Sequence, residues 1–237
     1  SLVHDFAITE HYVLFPVLPL VPAPRAVDAA ATGFAWSPAL GSRIGVLRRG
    51  APGGSIRWFE GDACYAFHVM NAFESKGADG RPWLAMDVMR YEEPPFFPHL
   101  DGRPTDRLRS QACLSRWTLD PAGTSRRFFQ TPLDDQSGEF PRIDERQTGR
   151  PYRHGWIARS QRIDARPMGG SDRTEGIVHY DHRLGRRIEY TLPAGDRMSE
   201  PVFAARPGAL EEGDGWLLAV VYRQRESSSD LIVLDAR

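Results

Sequence analysis

Apolar, β-branched and aromatic residues crowd into short runs along this chain, and clusters of Gly, Pro and Asp separate the runs. Runs of that length and make-up, bounded by turn residues, are the signature of β-strands. They predict fourteen strands, at 3–9, 11–17, 43–48, 56–60, 64–72, 83–91, 113–119, 126–130, 152–160, 176–181, 187–192, 202–206, 216–222 and 231–235. No segment holds a 3.6-residue apolar period over three turns, and 26–32 reads as a short helix or a loop. The predicted class is therefore all-β. Propellers use four-stranded blades, so fourteen strands amount to about three and a half of them. A half-integer count leaves open sheet edges, which folded proteins avoid. The expectation is one partial β-propeller domain over residues 1–237, about three to four blades of a larger whole.

Two connections stand apart from the strand pattern. The stretch 92–109 contains Pro94-Pro95-Phe96-Phe97-Pro98, and three prolines around two aromatics cannot be a central strand. The plain reading is a loop whose phenylalanines tuck into the body. The sharper one is an apolar lip for a greasy substrate or a weak contact with a membrane surface. The second connection, 131–149, is polar and rich in turn residues but carries Glu139-Phe140-Pro141-Arg142-Ile143.

Composition narrows the function classes. With 237 residues, 41% of them hydrophobic, the chain can bury a core and is no disordered segment. Thirty basic and 31 acidic residues leave a formal net charge of -1, which offers nothing to a polyanion, so no nucleic-acid partner is expected. Lys76 is the one lysine beside many arginines, a bias that fits a GC-rich bacterial genome. Cys64 and Cys113 make neither a disulfide framework nor a zinc motif, and a reducing, cytoplasmic compartment fits them. No apolar run reaches the ~18 residues of a spanning helix. The most apolar stretch, 12–24, is broken by Pro16, Pro19, Pro22 and Pro24.

Two of the seven histidines occupy unusual settings. His4 opens Val3-His4-Asp5-Phe6-Ala7-Ile8-Thr9, at a strand start. His68 sits between apolar neighbours in Tyr65-Ala66-Phe67-His68-Val69-Met70-Asn71-Ala72-Phe73-Glu74. A buried imidazole needs a partner, because an unsatisfied polar group costs a few kcal/mol. A backbone carbonyl is the commoner partner and a metal ion the rarer one. His99 lies in the proline-rich loop and His154 in a strand. His179-Tyr180-Asp181-His182 has an HxxH spacing but precedes Gly185, as a hairpin would.

The His4 and His68 segments resemble two signatures of the carotenoid cleavage oxygenases, in the right order and 64 residues apart. Two more family-like segments follow, Glu139-Phe140-Pro141-Arg142-Ile143 and Glu200-Pro201-Val202-Phe203. The stretch from Asp214 to Ala236 resembles the family's penultimate region. The resemblance implies a seven-bladed propeller with Fe(II) held on its axis by four histidines, three of them hydrogen-bonded to glutamates. By motif, His4 and His68 match the second and third iron ligands. Glu139 matches the glutamate that partners the third, and Glu200 the one that partners the fourth. The first and fourth histidines, and the glutamate for His4, have no counterpart here. The chain is thus expected to be the C-terminal portion of a longer oxygenase, inactive on its own. The implied reaction is cleavage of an alkene by O₂ into two carbonyl products. Phe15-Pro16 with Pro19-Leu20 looks most like stilbene-cleaving bacterial members, with apocarotenoids as the other substrate class. A non-catalytic partial propeller that binds a ligand or partner is the alternative. The sequence leaves the oligomeric state open.

Overall fold

The computed structural model describes residues 2–24, 33–77, 80–160 and 174–237, and the reading of 26–32 as a helix or loop lies outside them. Strands dominate the described residues, joined by three single 3-10 turns. β1 (Ala7–Ile8) and β2 (Tyr12–Val17) are followed by a small separate hairpin of β3 (Leu20–Pro22) and β4 (Phe34–Trp36). With β5 (Ser42–Arg48) and β6 (Arg57–Gly61), β1 and β2 make a four-stranded antiparallel sheet in the order β1-β2-β5-β6. Pro16 sits inside β2 because β1 pairs only with Leu14 and Val13, leaving that stretch of β2 with one open side.

The next seven strands form a continuous antiparallel run: β7 (Tyr65–Lys76), β8 (Pro82–Tyr91), β9 (Cys113–Leu119), β10 (Phe129–Ile143), β11 (His154–Ser160), β12 (Thr174–Asp181) and β13 (Arg186–Thr191). β10 divides this run in two. Its first half pairs with β9, as in Phe129 opposite Thr118. From Gly138 onward it pairs with β11, as in Glu139 opposite Ala158. One strand thus closes one four-stranded unit and opens the next. A last sheet is built on β16 (Gly215–Arg223), which pairs with β14 (Arg197–Met198) and β15 (Val202–Ala205) on one side and β17 (Ser228–Asp235) on the other.

The described strands therefore make four consecutive units, within the expected three to four. Three local expectations are corrected. The strand expected at 3–9 shrinks to Ala7–Ile8, because the side chains of His4 and Asp5 are engaged with β7. The connection expected over 131–149 is mostly β10, whose polar residues line a half-exposed strand rather than a loop. The short pieces β3, β4 and β14 carry too few residues for a period-2 pattern to register. The proline-rich stretch is a loop as expected, with Phe97 buried in the body and Phe96 exposed.

The core lies between units. Leu14, Ile44 and Phe59 of the first unit pack with Tyr65, Met86, Leu114 and Trp117 of the second and Ile157 and Val178 of the third. Trp156 and Ile177 then join Met198, Leu217, Ala219 and Val221 of the last. The units at the two ends bury one face only. β16 alternates buried Leu217, Ala219 and Val221 with exposed Val220 and Tyr222, and its partner β17 exposes Leu231 and Val233 beside them. At the other end Phe6, Ile8 and Trp58 are exposed.

Candidate functional site

His68 stands on a deformed stretch of β7. The pairing with β8 runs Ala66 opposite Arg90, then Val69 opposite Val88, then Asn71 opposite Asp87, so β7 holds one extra residue on each side of Val69. Bulges of this kind re-aim side chains and recur beside functional sites. Here they bring the His68 ring to 5.0 Å from that of His4, centroid to centroid, with the two planes at 88°. His4 reaches this place from the lead-in to β1, and its Nδ1 lies 3.1 Å from the Phe67 carbonyl, to which it donates. The neighbouring carboxylate, Asp5, accepts the Val69 amide at 2.9 Å.

Behind His68 sits Glu139, at the point where β10 passes from one unit to the next. His68 Nδ1 and Glu139 Oε2 are 2.7 Å apart. The same oxygen accepts the Phe140 amide at 2.9 Å, and Oε1 accepts the Tyr91 hydroxyl at 2.7 Å. Phe140 adopts φ +54°, a left-handed conformation costly for an aromatic residue, next to a register shift between Glu139 and Arg142. Strained backbone of this kind concentrates at functional sites. With its Nδ1 proton directed at Glu139, His68 keeps the lone pair of Nε2 free, as a metal-binding imidazole requires. Burial opposes protonation of His68, but the Glu139 hydrogen bond and charge, helped by Asp5 and Glu200, outweigh it and hold the pKa above its ordinary value.

Aromatic side chains wall the pair. Phe67 lies edge-on to His4 at 5.2 Å and to Tyr65 at 4.8 Å, and Phe140 lies 5.4 Å from His68. Glu200 is elsewhere engaged: Arg142 Nη2 donates to it at 2.8 Å, and its side chain is 48% exposed. The structure thus brings His4, His68 and Glu139 together and leaves Glu200 at the margin. Among the described residues no group of three or more His, Cys, Asp and Glu side chains is placed to hold a metal ion.

Four of the five remaining histidines make contacts away from this pair. His154 Nδ1 lies 2.8 Å from His179 Nε2, and both rings pack along Trp156. His182 packs edge-on to Tyr152 at 4.8 Å. His11 and Glu74 are paired at 3.0 Å. The sequence reading passed over Asp5, Tyr91, Asn71 and Glu74. Three of these stand in the quoted motifs, which is the signal that could have found them. Asn71 donates to the carbonyls of Gln147 and Arg150 and accepts the Gly149 amide, and Gly149 has φ +80°. Glu74 accepts the Thr9 hydroxyl and the His11 amide, both at 2.7 Å.

The match to known proteins extends along the whole chain. The family described as Retinal pigment epithelial membrane protein matches residues 1–237. Lignostilbene-α,β-dioxygenase isozyme III of Sphingomonas paucimobilis is 34% identical, over 99% of this chain and 49% of its own length. The chain belongs to the carotenoid cleavage oxygenase family. An isoeugenol monooxygenase of Pseudomonas putida is 33% identical over all of this chain and 49% of its own length. The crystal structure of Pseudomonas brassicacearum lignostilbene dioxygenase superposes with a TM-score of 0.84 at 30% identity, covering 100% of this chain and 50% of that one. Cobalt-substituted Synechocystis ACO follows at a TM-score of 0.82 and 27% identity. The chain spans about half the length of the relatives it matches, and its four units are part of the carotenoid cleavage oxygenase propeller.

Proposed function

We propose that this chain contributes to a non-haem Fe(II) dioxygenase that cleaves an alkene C=C bond with O₂ into two carbonyl products. One observation carries the reading: the rings of two histidines from separate family motifs meet at 5.0 Å, and a carboxylate fixes the Nδ1 proton of one of them. That donor set suits the metal, since imidazole is a good ligand for iron, and carboxylate–histidine pairs hold ligands in a single tautomer. His4 and His68 would hold the ion, with further ligands supplied from outside the pair. Bound Fe(II) supplies the redox chemistry that lets O₂ react with an alkene. Glu139 keeps the His68 ring in one orientation. Phe67 and Phe140 flank the pair, of which His4 is exposed and His68 half-buried, and offer flat apolar surfaces against which a planar alkene can lie. A lignostilbene-type substrate is favoured over an apocarotenoid, because the relatives named above carry lignostilbene and isoeugenol in their names.

The lack of a third ligand beside His4 and His68 among the described residues favours a second reading for this chain taken alone, a binding module without catalysis. Iron content and O₂-dependent cleavage of a hydroxystilbene, measured on this chain and on any longer gene product that contains it, separate the two. The oxygenase reading expects iron and turnover in the longer protein and loss of both in His68→Ala. A longer protein that neither binds iron nor consumes stilbene overturns it. Stoichiometric iron and turnover in this chain alone would mean that another group completes the site.

A further inference from the structure

We propose that Asp5 is a positioning residue that grips the bulged backbone of β7 and thereby sets where His68 points. The proposal rests on reading His4 and His68 as a metal-holding pair, and it concerns the residue that follows His4 in the first motif. Asp5 Oδ2 accepts the Val69 amide at 2.9 Å, and Oδ1 accepts the Phe6 amide at 2.8 Å, so both carboxylate oxygens are fixed. On the other side of the same turn of chain, His4 Nδ1 donates to the Phe67 carbonyl at 3.1 Å. Residues 4 and 5 therefore hold residues 67 and 69, and His68 is the residue between. This is where β7 carries its two extra residues and departs from regular pairing with β8. A bulge leaves the local ladder disrupted, so backbone groups there take partners from outside it. A carboxylate accepting an amide proton makes a strong, charge-assisted bond well suited to fixing such a stretch.

Docking of the first unit on β7 does not depend on Asp5. Glu74 secures it further along, through the Thr9 hydroxyl and the amide and ring of His11. The consequence left to Asp5 is local to residues 67–69. Two variants separate these roles. Asp5→Ala removes the acceptor, whereas Asp5→Asn keeps an oxygen that can receive the Val69 amide.

The test uses hydrogen–deuterium exchange resolved at Val69 in this chain, metal-free and at low micromolar concentration, and visible absorption during cobalt(II) titration of any longer gene product that contains it. In Asp5→Ala the Val69 amide is expected to exchange about tenfold faster. Cobalt is expected to bind roughly tenfold more weakly and with an altered spectrum. The melting temperature and the exchange of β8 and β12 stay as they were, and Asp5→Asn recovers most of both signals. Unchanged Val69 exchange and an unchanged cobalt spectrum in Asp5→Ala overturn the proposal, as does a loss of protection along all of β7. Absence of cobalt uptake by the unmodified longer protein overturns the metal reading instead, and the Val69 exchange rate then decides by itself whether Asp5 grips β7.

Discussion

Two tyrosines near Glu139 make opposite use of their hydroxyls. Tyr91 donates its proton to Glu139, while the Tyr65 hydroxyl is buried with no hydrogen-bond partner among the described residues. A hydrogen bond to a charged group is worth about 1.5–3 kcal/mol, and an unpaired buried hydroxyl is a cost. Tyr91→Phe is therefore expected to lower unfolding stability by about that amount, and Tyr65→Phe to leave it unchanged or raise it. Urea denaturation of both variants checks the contrast, and equal losses would contradict it. His179 offers a pH test at the same scale. Burial, followed by the neighbouring His154, lowers its pKa from 6.5 to about 4. A base whose pKa falls on folding contributes stability that is present above its unfolded value and lost as acid protonates it. The melting temperature should fall between about pH 6.5 and 4, and His179→Gln should flatten part of that fall. The placement of His4, His68 and Glu139 was legible in the sequence because each stands in a recognisable motif. Tyr91 was not legible, since its role depends on a contact across 48 residues of chain that no local pattern encodes.

At the level of single strands, the sequence reads best where both faces or alternate faces are apolar. β8 and β16 appear within a residue or two of their predicted bounds for that reason. β10 was hidden because its first half, with Asp134, Asp135 and Gln136, is polar and half-exposed and its second half bends at Phe140. Side chains that satisfy loop backbone are equally invisible to periodicity. Asn71 makes three such bonds to the turn after β10 while itself only 5% exposed. Asn71→Ala should strip partners from buried backbone groups and cost roughly 2–4 kcal/mol, measured by thermal or urea unfolding. A cost below about 0.5 kcal/mol would show that water takes over those bonds.

The molecule as a whole has two unfinished faces. Strands buried on both sides carry apolar residues at every position, and β16 has that composition, yet Val220 and Tyr222 face outward beside Leu231 and Val233 of β17. Exposed apolar surface of this extent drives association. The isolated chain should therefore self-associate as its concentration rises, and Leu231→Lys with Val233→Glu should reduce this without lowering the melting temperature. Sedimentation velocity over a concentration series checks it, and a monodisperse monomer throughout would refute it. Between these ends, the hand-over within β10 acts as a ruler marked in residues. The register with β9 shifts between Pro132 and Ser137, but from Ser137, opposite Cys113, to Glu139, opposite Ala158, the strand is held first by one sheet and then by the other, so the length of that step cannot drift. One residue gained or lost there would turn Glu139 to the opposite side of the strand and away from His68. An insertion between Ser137 and Glu139 should therefore cost the His68–Glu139 contact, whereas one at the exposed tip of the proline-rich loop, near Asp101 and Gly102, should leave it in place.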